Sequence, residues 1–111
     1  MTSQFTVQTG SSITLAQLQQ LIRDMYLARD VQRGVAGTFM WLVEEVGELA
    51  TVLRHGSRAE QAQEFADVLA WLATIANVAG VDLGQAVLDK YGDGCPGCRA
   101  TPCQCSETEK P

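Results

Sequence analysis

Between residues 38 and 80 the chain carries two long apolar stripes of helical period, separated only by Gly56 and Ser57. Phe39, Leu42, Val43, Val46, Leu49, Ala50 and Leu53 recur at spacings of three and four. Ala62, Phe65, Ala66, Leu69, Leu72, Ala73 and Ala76 do the same. Such spacing gathers side chains on one face of an α-helix. Thr38 is a candidate N-cap for the first helix, Gly56 its stop, and Ser57 with Glu60 a capping box for the second. Two long helices joined by so short a link are predicted to lie antiparallel.

Two further helices follow from the same signals. Thr14 and Gln17 form a capping box ahead of Leu15, Leu18, Leu21, Ile22 and Met25, giving a helix to about Arg29. The polar run Arg29 to Arg33, with Gly34 and Gly37, is predicted to be a loop. Asp82 and Gln85 start a short helix over about Leu83 to Tyr91. Only Phe5 to Gln8 alternates with period two. The expected fold is therefore all-α: a short antiparallel bundle of about four helices over residues 14–91. A segment 1–13 precedes it, and an irregular Cys-rich tail, 92–111, follows.

The net charge of −5 argues against a sequence-independent nucleic-acid binder, which needs a basic face. No apolar run approaches the length of a membrane span, and residues 1–13 lack the pattern of a signal peptide. The expectation is a cytoplasmic protein without membrane or nucleic-acid partners.

Chemistry enters through acidic residues set in apolar surroundings. Glu45 and Glu48 are three apart and share a helix face, as do Glu64 and Asp67 on the next helix. Antiparallel packing lets the two pairs meet. Carboxylates brought together repel unless a cation lies among them, and Mg²⁺ suits an all-oxygen set, with Mn²⁺ as the alternative. Glu44 adjoins the pair as a further ligand or a base for an attacking water. The competing reading is a solvated acidic face; no Lys or Arg lies three or four residues from Glu44, Glu45 or Glu48 on their C-terminal side.

The run Glu44-Glu45-x-x-Glu48, then Glu64-x-x-Asp67, resembles the EExxE and ExxD signature of the MazG-like all-α nucleotide pyrophosphohydrolases. The strings from Thr38 to Ala50 and from Glu64 to Leu72 are similar to that family as well, and the resemblance covers roughly Leu15 to Lys90. It implies Mg²⁺-dependent cleavage of a nucleoside triphosphate between the α and β phosphates, often to remove non-canonical nucleotides. It implies Glu45, Glu48, Glu64 and Asp67 as metal ligands, with Glu44, Glu45 and Glu48 as the catalytic group. It places Asn77 and Lys90 among substrate contacts, and it implies a bundle completed by oligomerisation, as a homodimer or homotetramer, which fits the apolar face that one short bundle leaves uncovered. Phe39, Trp41 and Trp71 are suited either to stacking on a base or to the core, with Trp41 the substrate-binding candidate. Arg23, Arg29, Arg33, Arg54 and Arg58 are suited to phosphates or to a solvated surface.

All four cysteines lie in the tail, as Cys95-x-x-Cys98 and Cys103-x-Cys105. They are able to supply four thiolates to one Zn²⁺, to pair as disulfides, or to remain free. His55, the single histidine, is expected to interact with the dipole at the end of its helix. Two non-enzymatic readings stand beside the hydrolase: a helical module that binds nucleotide or a partner without turnover, and a small structural protein organised by a zinc tail.

Overall fold

A computed structural model describes residues 12–107. The Phe5 to Gln8 alternation and most of the 1–13 segment lie outside the described residues, as does the end of the tail. The described chain is all-α: α1 spans Leu15–His55, α2 spans Arg58–Ala79 and α3 spans Leu83–Tyr91. No single helix among them is long and apolar enough to cross a membrane.

The helix ends follow local chemistry. Thr14 and Gln17 exchange side-chain and backbone hydrogen bonds at the start of α1. Ser57 and Glu60 do so at the start of α2. Asp82 accepts from the Gln85 N–H to begin α3. Gly56 ends α1 in extended backbone, its N–H donating to the Val52 carbonyl. Gly80 ends α2 in the left-handed conformation that glycine adopts without a steric penalty.

The expected loop between the first two helices is instead a break within one long helix. Gly34 alone leaves helical backbone, with φ +82° and ψ 173°, a region essentially reserved for glycine. The Thr38 hydroxyl, expected at an N-cap, is fully buried and donates to the Gly34 carbonyl at 2.7 Å, inside the helix. The polar run is helical because Asp30 is buried and takes the Arg33 guanidinium at 3.1 Å, so the helix carries an internal ion pair where a loop was expected.

The kink has a geometric purpose. An unbroken helix of 41 residues would reach roughly 60 Å. The longest dimension of the molecule is 50 Å. The bend at Gly34 lets both halves of α1 pack on α2, which runs antiparallel to the second half. The interhelical contacts report this order: Glu45 lies against Glu64, Trp41 against Trp71, and Gln19 and Arg23 against Asn77.

The protomer's closed interior is small. Among the described residues the buried apolar side chains are Ile22, Ala73 and Ala76, accompanied by Gln19, Asp30, Thr38 and Thr74. Phe39, Val43, Val46 and Leu53 remain half exposed along one face of α1, and Phe65, Leu69 and Leu72 along one face of α2. The stripes that specify the helices are thus largely uncovered in a single copy.

Candidate metal centre

The facing stretches of α1 and α2 bring three of the acidic side chains together. Carboxylate oxygens of Glu45, Glu48 and Glu64 all lie within 4.8 Å of one another. The i,i+3 spacing aligns the first two on α1, and the antiparallel return of α2 supplies the third. Glu45 Oε2 and Glu64 Oε2 are both buried, and among the described residues neither has a hydrogen-bond partner. Withdrawal from solvent, then the charge of Glu48, a hydrogen bond shared with Glu64 and the charges of Glu64 and Asp67, push the Glu45 carboxyl up to about 7. A half-buried carboxyl at this value is a strongly frustrated acid. The all-oxygen donor set, with one oxygen each of Glu45 and Glu64 left without a partner among the described residues, fits a hard divalent cation.

Asp67 stands beside this cluster rather than within it. It is exposed and lines an adjoining cavity of about 270 Å³ together with Tyr26, Arg29, Arg33, Trp71 and Thr74. Its charge nevertheless acts on Glu45. Glu44 is exposed on the neighbouring face of α1, outside the three-carboxylate cluster. Trp71, which lines the cavity beside Asp67, stacks on Trp41 with centroids 5.6 Å apart, and the Arg33 guanidinium lies 5.1 Å from the Trp71 ring centroid.

The two remaining sequence candidates sit elsewhere. The Asn77 amide donates to the Gln19 carbonyl at 3.0 Å, and its oxygen accepts from Gln19 Nε2 and Arg23 Nη2. It therefore ties the end of α2 to the start of α1. Lys90 reaches over the Tyr91 ring at 5.7 Å and lines a smaller cavity with Asp89, Asp93, Cys95 and Arg99. His55 and Arg54 occupy the last turn of α1, where positive charge complements the helix dipole.

Two polar groups with structural weight were not singled out from the sequence. Gln19 is buried; its Nε2 also donates to the Val81 carbonyl at 2.8 Å, and its Oε1 accepts from the Leu83 N–H at 2.9 Å. It thereby satisfies the backbone where α2 turns into α3. Its signal was a glutamine on the apolar face, between Leu15 and Ile22. The Asp30–Arg33 pair is the other, and Asp30 falls eight residues after Ile22 on the same face.

In the tail, the four cysteine sulfurs form a second cluster, also within 4.8 Å of one another. Backbone N–H groups of Gln104 and Ala100 draw the Cys98 thiol down to about 6, and those of Cys98 and Gly97 lower Cys95. Hydrogen bonds with Cys103, Cys95 and Cys98 push Cys105 up to about 12.

Comparison with known families adds one match. The family model described as the MazG nucleotide pyrophosphohydrolase domain matches residues 34–98, from the kink in α1 through Cys98. No curated protein matches the chain.

Proposed function

Since the chain belongs to the MazG nucleotide pyrophosphohydrolase family by a match over more than half its length, we propose that it hydrolyses a nucleoside triphosphate to the monophosphate and pyrophosphate. The observation that carries this reading is the cluster of Glu45, Glu48 and Glu64, with two buried carboxylate oxygens that have no partner among the described residues. Glu45, Glu48, Glu64 and Asp67 would hold Mg²⁺, and Mn²⁺ fits the same oxygen donors. When bound, the ion neutralises phosphate charge and withdraws electrons from a phosphoryl oxygen.

The remaining roles fall to the chain itself. The cavity beside Asp67 receives the substrate, with Arg29 and Arg33 countering phosphate charge and the Trp41–Trp71 stack offering an aromatic face to the base. Glu44, exposed at the edge of the cluster, takes a proton from the attacking water. The water oxygen bonds to the α-phosphorus, the α–β bridge breaks, and its electron pair leaves with pyrophosphate. Asn77 acts by fixing α2 against α1, and Lys90, in the separate cavity by the tail, is left out of this site. Clearance of non-canonical nucleotides is the proposed cellular use.

The proposal includes a homodimer or homotetramer. The uncovered stripes of α1 and α2 support it, because an apolar face of this extent is stable in water when another surface covers it. Light scattering on the purified chain is expected to give a multiple of the protomer mass; a monodisperse monomer would contradict it.

Hydrolysis of a panel of standard and modified nucleoside triphosphates in ¹⁸O-water tests the reaction. The label is expected in the monophosphate, with pyrophosphate unlabelled. Orthophosphate release, or label in pyrophosphate, would overturn the assignment. Nucleotide binding without turnover would favour a non-catalytic binding module.

A further inference from the structure

The tail from Gly92 to Glu107 contains no large apolar side chain to form a core. It is nevertheless folded into tight turns. Gly94 N–H donates to the Tyr91 carbonyl at 3.0 Å, which continues the chain directly from the end of α3. Cys95 N–H donates to the Ala100 carbonyl at 3.1 Å, and Arg99 N–H returns to the Cys95 carbonyl at 2.5 Å. Gly94 and Arg99 adopt positive φ, at +107° and +62°, to close the loop. Hydrogen bonds and turns of this kind, without burial, do not hold a segment of this length against its conformational entropy.

The features the turns share are their sulfurs. Cys95, Cys98, Cys103 and Cys105 are all free, and their Sγ atoms converge within 4.8 Å. Cys95 and Cys105 Sγ lie 3.6 Å apart. Four sulfurs about 2.3 Å from a central Zn²⁺ at tetrahedral angles stand about 3.8 Å from one another. A disulfide would need about 2.05 Å. Backbone donors are aimed at three of the sulfurs: Gly97 N–H at Cys95, Gln104 N–H at Cys98, and Cys105 N–H at Cys103. Donors in that position offset the negative charge of thiolates gathered at one point. Soft thiolate donors select zinc over the hard cation that suits the acidic cluster.

We propose that Cys95, Cys98, Cys103 and Cys105 bind one structural Zn²⁺ that folds the tail into a knuckle on the end of α3. Four protein ligands close the coordination sphere, so the ion has no open position for substrate. Zinc binding releases the thiol protons and supplies the folding free energy that the tail lacks in apolar burial. Cys103 and Cys105 lie beyond the residues matched by the family model, and the inference does not depend on the hydrolase reading.

The test uses the full chain, purified with a thiol reductant, and measures metal by mass spectrometry and by Co²⁺ replacement. Wild type is expected to carry about one zinc per chain and, with Co²⁺, to show the sulfur-to-metal charge-transfer bands of a tetrahedral tetrathiolate. Cys98→Ser and Cys105→Ser are each expected to lose stoichiometric zinc and those bands, whereas Glu48→Ala keeps both. Trypsin supplies a second readout, because the Arg99 side chain is exposed: cleavage after Arg99 is slow in the zinc form and fast after chelation. Absence of stoichiometric zinc from the reduced wild-type chain would overturn the proposal. So would a Co²⁺ spectrum unchanged by either serine variant, or cleavage at Arg99 indifferent to zinc.

Discussion

The acidic cluster and the cysteine cluster are both gatherings of potential ligands, yet they are built on opposite principles. The carboxylates stand on two helices set by their caps, the kink and interhelical bonds. The sulfurs stand on turns with no apolar interior beneath them. Helical scaffolding can therefore hold carboxyl groups close together although their proximity opposes ionisation. A turn-built cluster has no such reserve, and its metal is part of its fold. The acidic site is expected to survive loss of its ion with its geometry intact, and the tail is not.

The sharpest way to separate the two is to remove a ligand from each. Glu48→Ala is expected to lower pyrophosphate release by at least about tenfold, the least that loss of a group supporting a metal site costs, while helicity and zinc content stay at wild-type levels. Circular dichroism and zinc analysis on the same preparation check both halves. Collapse of the helices in this variant would show that the acidic cluster is as dependent on its ligands as the tail.

The helical side of the contrast rests on Gly34. Its backbone lies where other residues are strained, and no neighbouring atom stands within 4 Å of the position a Cβ would take. Gly34→Ala should thus cost about 1–3 kcal/mol through backbone strain alone. Denaturant unfolding measures this cost; an unchanged midpoint would mean that α1 does not need the kink. Gln19→Ala leaves the Leu83 N–H without its acceptor and removes two bonds to α2 and Val81. About 1–3 kcal/mol is expected there too, toward the lower end if water reaches the gap. A neutral result would remove Gln19 from the account of how α2 turns into α3.

The smallest effect is one of pH, and its sign is diagnostic. The Glu45 carboxyl is raised to about 7 from an ordinary value near 4.5, so the folded metal-free chain holds a proton that the unfolded chain releases. This group's contribution is fully present below pH 4.5 and is lost as pH rises toward 7. Metal-free protein should lose thermal stability over that window, and Mg²⁺ should reverse the trend by favouring the ionised carboxylate. Thermal unfolding at several pH values, with Mg²⁺ and with chelator, reads this. A stability that rises through the window without metal would show that Glu45 is not frustrated.

Much of this was legible along the chain, and the exceptions have a common cause. The caps at Thr14, Ser57, Asp82 and Gly80 are local chemistry and needed no tertiary information. Glu45, Glu48 and Glu64 were legible because i,i+3 spacing and a short connection dictate where helix faces meet. Asp67 was placed in the same group by spacing, although it opens toward the adjoining cavity. The continuity of α1 was hidden because Arg33 bonds both Asp30 Oδ1 and the Thr38 hydroxyl inside the fold. A polar run that is internally paired looks, in sequence, like a loop. The interhelical bonds of Asn77 were hidden for a related reason: its partner Gln19 lies 58 residues away.

In the proposed reaction, hydrolysis depends on a divalent ion held by Glu45, Glu48 and Glu64. The most direct measurement is the rate of pyrophosphate release as Mg²⁺ is titrated into chelator-treated wild type and Glu48→Ala, with tail zinc monitored throughout. Saturable Mg²⁺ activation is expected in wild type, a greatly weakened response in the variant, and unchanged zinc in both. Release that proceeds without a divalent ion, or that responds to Mg²⁺ alike in both proteins, would contradict it.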